Sequence, residues 1–256
     1  LLNKWESGGF FLLFNVLIGT CTGRERILLP LAPEYVGYAD LGLSSDFFCS
    51  YQPLIEECGE DLFKYRIDFK RIRVDEDIAA ICVSRPTNPT GNVLSDEEVQ
   101  RLVQLASRYG IPLILDNAYG QPFPGMIYIE ATPIWNENII LCLSLSKFGL
   151  PAARTGIVIA KKEIINLLSG LNAVVNLAPS SFGAMLVRGI ISSGEVIRLS
   201  QEIIQLFYKR KMEKALAALR THFRGLRYKV HVPEGQYFSG FGCLTFPLPA
   251  ESCICV

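Results

Sequence analysis

The sequence predicts an α/β protein in which a mostly parallel sheet is covered by helices on both faces. Short apolar runs of strand length alternate with helical patterns along most of the 256 residues. The runs are apolar throughout, which is typical of strands buried on both faces. Polar motifs follow several of the runs, and in such sheets ligands gather beyond the carboxyl ends of the strands.

Five apolar runs have the length and composition of buried strands. They are RILLPLAP (26–33), IAAICVS (78–84), IPLILD (111–116), NIILCLS (138–144) and TGIVIA (155–160). A helical pattern lies between the second and the third run. A strand, a helix and another buried strand in succession predict right-handed crossovers between parallel strands.

Three segments predict helices. In SDEEVQRLVQLASRYG, Ser95 can cap the N-terminus, Glu98 completes a capping box, and Gly110 can end the helix. The apolar FFLLFNVLIG (10–19) is interpreted as a buried helix, since ten residues are too few to span a bilayer. A long helical pattern from Gly194 to His222 leads the chain away from the sheet.

The order of these patterns suggests a division into three parts. Residues 1–193 are predicted to form a ligand-binding large domain, residues 194–222 a long connecting helix, and residues 223–256 the beginning of a smaller domain. HVPEGQYFSGFG is interpreted as the opening strand of that smaller domain. Because the sequence starts without Met and stops at ESCICV, we expect an incomplete large domain and a truncated small one.

Charge and hydropathy argue against two classes of partner. The chain has 25 Lys and Arg against 25 Asp and Glu, a balance that does not favour binding to nucleic acid. No apolar segment near the start has the length of a membrane span, and none has the basic flank of a signal peptide. We therefore expect no membrane partner and a cytoplasmic location.

The eight cysteines are scattered along the chain. Cys82 and Cys142 lie inside predicted strands, where they would pack as small hydrophobes, and this usage is typical of reduced thiols. Cys253 and Cys255 have no second pair at zinc spacing. No metal site is predicted.

Polar residues follow three of the predicted strands. After IAAICVS, the segment RPTNPTGN leaves the Asn88 amide available at a strand end. Asp116 closes IPLILD, where its carboxylate would be partly desolvated and would need a cation or hydrogen-bond donors. The full set after the three strands is Asn88, Asp116, Tyr119, Ser144, Ser146, Lys147 and Arg154.

Each of these residues also has an ordinary structural explanation. Asp116 could cap a helix, Tyr119 could belong to the core, Ser146 to a turn and Arg154 to the surface. Together they describe one ligand: a carboxylate for one end, hydroxyl and guanidinium donors for a phosphate at the other, bonds to a ring oxygen between, and a lysine for a Schiff base. Pyridoxal 5'-phosphate (PLP) has all of these features.

NPTG, DNAY and SLSK followed by GLPAARTG, in this order and spacing, resemble the class I aminotransferases among the fold-type-I PLP enzymes. The resemblance runs from about Arg24 to Phe238. It implies the three-layer large domain of a fold-type-I PLP-dependent transferase with the start of a small C-terminal domain. VSRPTNPTGNV, DNAYGQPFPG and LAPEYVGYAD most resemble the members of this family that act on small aliphatic amino acids, and that resemblance implies a small aliphatic amino acid and a 2-oxo acid as substrates, with valine and pyruvate as the best guess. The family also implies a homodimer when the protein is full length.

The resemblance implies a role for each residue at the ring of the cofactor. Lys147 would carry the cofactor through a Schiff base and then serve as the general base. Asp116 would pair with the pyridinium nitrogen. Asn88 and Tyr119 would bond the ring oxygen O3'. Tyr35 would stack on the ring, and Tyr38 is a near competitor for that position.

The resemblance also implies how the phosphate is held, and it leaves gaps. Ser144, Ser146 and Arg154 would bind the phosphate. The family's glycine-serine-glutamine-like phosphate loop corresponds here to KWESGGFF, in which Ser7, Gly8 and Gly9 are suggestive. No residue is assigned to the arginine that clamps the substrate carboxylate, so we expect residues 1–256 alone to bind the cofactor weakly and to have little activity.

Two alternatives stay open beside the transaminase. One is a PLP-dependent lyase or decarboxylase on the same scaffold, because the reaction type depends on how the α-carbon bonds align with the ring. The other is a truncated copy without catalysis. A nicotinamide dehydrogenase is disfavoured, since no G-x-G-x-x-G follows the first predicted strand.

Overall fold

The computed structural model describes residues 2–4, 7–20, 23–44, 46–177, 180–237 and 241–243, with the side chains of residues 2–4, 7, 20 and 241–243 left out. Cys253, Cys255 and Phe238, which the sequence analysis singled out, lie outside the described residues.

The five predicted strands occur in the predicted order, with further strands and helices between and after them. In chain order they are β1 (Leu2–Lys4), α1 (Ser7–Thr20), β2 (Arg26–Leu29), β3 (Phe48–Ser50), β4 (Leu54–Glu57), β5 (Leu62–Arg66), β6 (Ile78–Ser84), α2 (Asp96–Arg108), β7 (Leu113–Asp116), β8 (Ile139–Ser144), β9 (Thr155–Ile159), α3 (Lys162–Asn176), α4 (Phe182–Ser192), α5 (Glu195–Leu199), α6 (Gln205–His222), β10 (Tyr228–His231) and β11 (Phe241–Cys243). Short 3-10 turns span Val36–Leu41, Ser146–Phe148 and Pro151–Ala153.

The central sheet has seven strands in the order β1-β9-β8-β7-β6-β2-β3. The five strands from β8 to β3 are parallel to one another. At one edge, β9 pairs antiparallel with β8, and β1 pairs antiparallel with β9. Each of the five predicted strands forms. Strand β2 is shorter than predicted and ends at Leu29, because Pro30 follows and has no amide hydrogen for the ladder.

Side chains of the central strands alternate between two cores. On β7, Leu113 and Leu115 belong to the core that includes residues of α2, α4 and α5. Ile114 belongs to the core that includes residues of α1 and α3. Burial of the sheet on both faces makes a three-layer α/β architecture and confirms the predicted fold class.

Helix α2 begins as the sequence predicts, whereas the long helical pattern at 194–222 is interrupted. The capping box of α2 is present: the Glu98 amide donates to the Ser95 hydroxyl at 3.2 Å, and the Ser95 amide donates to the Glu98 carboxylate at 2.9 Å. The long pattern before His222 is interrupted by a π-helical turn at Ser200–Ile204, which the sequence did not predict. Among the described residues, no helix is long and apolar enough to cross a bilayer.

A second sheet, which the sequence analysis did not predict, has the strand order β11-β10-β5-β4. Strand β5 pairs in parallel with β10, so residues 62–66 and 228–231 lie side by side. The predicted opening strand HVPEGQYFSGFG differs from the structure. Strand β10 ends at His231, and Pro233, which cannot donate to a ladder, follows two residues later.

A buried ion pair ties this second sheet to the loop after β6. The Lys64 ammonium donates to the Glu234 carboxylate, and it also donates to the Val93 carbonyl at 2.9 Å. The Val93 amide donates to the same Glu234 carboxylate at 3.1 Å. Both charged side chains are less than 10 % exposed, with 5 % for Lys64 and 8 % for Glu234. Each buried charge is therefore stabilised by the opposite charge of its partner.

Lys64→Met should destabilise the fold strongly, because the Glu234 carboxylate would stay buried without its cation. The expected loss in the free energy of unfolding is about 3–5 kcal/mol, measured by denaturant titration. Lys229→Met is the matched control, because Lys229 pairs with a largely exposed Glu57 at 3.0 Å. Its expected cost is at most about 1 kcal/mol. Equal effects of the two changes would contradict a structural role for the buried pair.

Candidate active site

The polar motifs of the sequence meet at one edge of the central sheet. Strands β6, β7 and β8 are parallel neighbours, so their carboxyl ends lie side by side. A cleft opens there. Its walls are formed by Phe10, Tyr35, Ser84, Pro86, Asn88, Asp116, Ala118, Tyr119, Ser144 and Lys147.

Asp116 is the last residue of β7 and its carboxylate is held from two sides. The Tyr38 hydroxyl donates to Oδ2 at 2.6 Å, and the Ala118 amide donates to Oδ1 at 2.9 Å. The residue is only 7 % exposed, although it lines the cleft. A buried carboxylate held by two donors is fixed in direction and can stabilise a cation placed in the cleft.

Lys147 enters the cleft from the neighbouring strand end. It lies in the 3-10 turn Ser146–Phe148, directly after β8, and its Nζ is 5.2 Å from the centre of the Tyr119 ring. Gly149 follows with φ +107°, a conformation that disfavours residues with a Cβ, and it ends the turn. The lysine is half-buried, in contrast to the exposed position expected of most lysines.

Tyr119 belongs to an aromatic group over the opening of the cleft. Its hydroxyl is 3.4 Å from the Tyr237 hydroxyl, and the Tyr237 ring also contacts Tyr208 of α6. Burial, followed by the hydrogen bond with Tyr237, raises the pKa of Tyr119. The phenol therefore stays protonated and can donate a hydrogen bond into the cleft.

Asn88 lies in a tight loop after β6 that is closed by its own backbone. The Gly91 amide donates to the Thr87 carbonyl at 2.8 Å, and Gly91 adopts φ +74°, which favours glycine. The Gln236 side chain also donates to the Thr87 carbonyl. The segment after β10 thus holds the loop that presents Asn88 to the cleft.

Two tyrosines compete in the sequence for the position beside the ligand, and the structure separates them. Tyr35 is half-buried and lines the cleft, whereas Tyr38 is 1 % exposed and bonds Asp116 from behind. The two rings meet edge to face, with centroids 5.4 Å apart. Tyr35 is therefore available to a ligand, and Tyr38 supports the carboxylate.

The residues predicted for a phosphate are only partly brought together. Ser144 lines the cleft, and its hydroxyl accepts a hydrogen bond from the Ser146 amide at 3.2 Å. Ser146 and Lys147 line an adjacent groove, and the buried Ser146 hydroxyl has no hydrogen-bond partner among the described residues. Arg154 is half-buried, with φ +47°, and does not form part of either wall.

The phosphate loop suggested by KWESGGFF coincides with the start of a helix. Helix α1 begins at Ser7, whose side chain lies outside the described set, and Gly8 and Gly9 follow in its first turn. Phe10 reaches the wall of the cleft. Among the described residues, no group of three or more His, Cys, Asp or Glu side chains could hold a metal ion.

Two site residues, Glu34 and Ser84, were missed by the sequence reasoning. The Ser84 amide and hydroxyl donate to the Glu34 carboxylate at 2.8 and 2.6 Å. Burial raises the pKa of Glu34 to about 7, and the charge of Asp116 adds to this shift. An acidic residue within the apolar and aromatic stretch LAPEYVGY, and a serine ending an otherwise apolar strand, were the available signals.

The sequence matches the family profile described as "Aminotransferase class I and II" over residues 16–244. It is 46% identical over 239 residues to the valine–pyruvate aminotransferase of Escherichia coli (strain K12), covering 93% of this chain and 57% of that protein.

Two solved structures of aminotransferases are similar to this chain. A putative amino-acid aminotransferase from Psychrobacter arcticum 273-4 is similar with a TM-score of 0.88 and 43% identity, over 92% of this chain and 57% of the other. The valine–pyruvate aminotransferase of Salmonella typhimurium LT2 has a TM-score of 0.84 and 45% identity, over 92% and 59% of the two chains. The chain spans less than three fifths of the length of these relatives.

Tyr38→Phe should lower the free energy of unfolding by about 1–3 kcal/mol, because the buried Asp116 carboxylate would lose a donor. Denaturant titration at neutral pH measures the loss. Tyr109→Phe is the control, since Tyr109 is 44 % exposed, and its expected change is within about 0.5 kcal/mol. If Tyr38→Phe were as mild as the control, the bond to Asp116 would not contribute to stability.

Proposed function

The chain belongs to the class I and II aminotransferase family, and from that premise we propose that it is a PLP-dependent transaminase. The proposed reaction moves an amino group between a small aliphatic amino acid and a 2-oxo acid, with valine and pyruvate as the pair. The observation that carries the proposal is the convergence of Asp116, Lys147, Asn88 and Tyr119 on one cleft. The shared architecture, the three-layer fold of fold-type-I PLP-dependent transferases, agrees with it.

The residues around the cleft fit PLP on their own chemistry. A buried carboxylate, Asp116, suits a ring nitrogen that carries a proton, and the half-buried Lys147 amine suits an aldehyde. The Ser146 hydroxyl, buried and without a partner in the described part of the chain, suits a phosphate oxygen.

When bound, PLP supplies an electron sink for the bonds at the substrate α-carbon. Lys147 would hold the cofactor covalently, and its amine, once free, would take and return a proton beside the substrate. Asp116, supported by Tyr38, would offer its negative charge to the ring nitrogen. Asn88 and the protonated Tyr119 phenol would donate hydrogen bonds to the ring oxygen, and Tyr35 would contact the ring.

For the phosphate end we propose Ser144, Ser146 and Arg154. Ser144 lines the cleft, and Ser146 is bonded to it through its amide at 3.2 Å. Arg154 follows Lys147 by seven residues and lies directly before β9, which pairs with β8. A guanidinium at this position could bind a phosphate in bidentate fashion after a change of side-chain conformation.

The relatives support the choice of substrates and the proposed assembly. Two of them are named valine–pyruvate aminotransferases, at 46% and 45% identity. We propose that the full-length protein works as a homodimer, and exposed apolar side chains on α3 and α4 support this, with Val174 77 %, Phe182 64 % and Met185 73 % exposed. The cytoplasmic location and the division at residues 193 and 222 stay predictions.

Lys147→Ala should abolish covalent attachment of PLP while the fold persists. The expected result is loss of the visible absorbance band of the bound cofactor, which we expect the unmodified protein to show. Lys161→Ala is the control, because Lys161 is exposed before α3 and should leave the band unchanged. A band that survives in Lys147→Ala would contradict the assignment of Lys147.

The reaction itself is tested by product analysis with valine, pyruvate and PLP. The full-length protein is used. The expected products are alanine and the 2-oxo acid of valine in equal amounts. Ammonia without alanine would indicate a lyase, and carbon dioxide a decarboxylase. Bound PLP with no product would indicate a copy without catalysis, and each of these three results would contradict the proposed transaminase.

A further inference from the structure

Behind the cleft, two buried carboxyl groups are joined by two hydroxyl groups. The Tyr38 hydroxyl donates to Asp116 at 2.6 Å and lies 3.3 Å from the Ser84 hydroxyl. The Ser84 hydroxyl donates to Glu34 at 2.6 Å. The Ser84 and Tyr35 amides also donate to Glu34, at 2.8 and 3.1 Å. The chain of hydrogen-bonding groups therefore runs from Glu34 through Ser84 and Tyr38 to Asp116.

The number of hydrogens in this chain depends on the protonation of Glu34. With Glu34 ionised, the Ser84 hydrogen points to Glu34 and the Tyr38 hydrogen points to Asp116, so the 3.3 Å contact between the two hydroxyls holds no hydrogen. With Glu34 protonated, its own hydrogen can bond Ser84, and Ser84 can then donate to Tyr38. Every contact is filled, and bonds in such a chain strengthen one another.

Burial favours the neutral form of Glu34, and the like charge of Asp116 on β7 adds to this effect. The hydrogen bonds from the Ser84 hydroxyl, the Ser84 amide and the Tyr35 amide oppose it, because donors favour the carboxylate. The Cys82 thiol on β6 and the Tyr38 phenol are weak acids whose pKa values burial raises well above the usual range, and Lys147 lies across the cleft. Burial outweighs the hydrogen bonds and raises the pKa of Glu34 to about 7.

We propose that Glu34 is a positioning residue that is protonated in the empty site and loses its proton when a cation binds against Asp116, the coupling running through Ser84 and Tyr38. The inference rests on the proposed function, which places the protonated ring nitrogen of PLP at Asp116. A cation there offsets the charge of Asp116 and removes part of the repulsion that keeps Glu34 neutral. Glu34 touches neither ligand nor substrate.

The sign of the pH effect follows from linkage. Glu34 has a raised pKa in the empty site, near 7, and a lower one when the cation is bound, so binding releases a proton and is favoured as the pH rises through 7. Between pH 6 and 8 this contribution should strengthen PLP binding roughly five- to tenfold. Glu34→Gln mimics the neutral form and cannot release a proton, so the contribution should vanish in that variant.

The test measures the dissociation constant of PLP from the full-length protein at several pH values from 6 to 8. Every other titrating group is common to all variants, so the comparison between the variants isolates Glu34. Glu34→Gln should lose the five- to tenfold pH effect, and Ser84→Ala should lose most of it, because it keeps the carboxyl group and cuts the chain. Glu60→Gln, an exposed carboxyl, is the charge control and should behave as the unmodified protein.

A second measurement needs no variant. Infrared spectra of the PLP-free protein, with glutamate carboxyl groups labelled by ¹³C, should show one protonated glutamate that disappears between pH 6 and 8, and adding PLP at pH 7 should remove it. Absence of that band, or equal pH dependence in Glu34→Gln and the unmodified protein, would overturn the inference alone. Failure of the unmodified protein to bind PLP would overturn the proposed function and the inference with it.

Discussion

The site depends on a carboxylate that is buried at the end of a strand. Asp116 closes β7 in the middle of a parallel sheet, and its charge is tolerated there because Tyr38 and the Ala118 amide donate to it. The same parallel order brings the ends of β6 and β8 beside it, and with them Asn88 and Lys147. The strand order therefore places a carboxylate and an amine in the wall of one cleft.

Segments distant in sequence then complete the site. Glu234 and Lys64 join the second sheet to the loop after β6, and Gln236 holds the Thr87 carbonyl in that loop. The next residue, Tyr237, contacts Tyr119 over the cleft, with ring centroids 5.5 Å apart. The segment after β10 therefore contributes to the site, and a buried ion pair is one of the contacts that hold it in place.

Five of the seven strands of the central sheet were predicted, because they are apolar runs of strand length, whereas β1 and β3 were not. Local motifs indicated most of the polar residues of the cleft wall. Six of the eight predicted site residues share the cleft. The second sheet was not predictable, since β4 exposes all four of its residues and β5 pairs with a strand more than 150 residues away. Glu34 and Ser84 were missed because only the fold brings their side chains to Asp116.

The central claim is that one PLP molecule is bound to Lys147 through a Schiff base and paired with Asp116 through its ring nitrogen. Reduction of the PLP-loaded protein with borohydride, followed by protease digestion and peptide mass spectrometry, tests it directly. The account predicts that the pyridoxyl phosphate mass is found on Lys147 alone, and that loading falls sharply in Asp116→Ala. Modification spread over exposed lysines such as Lys161, or equal loading in Asp116→Ala, would contradict it.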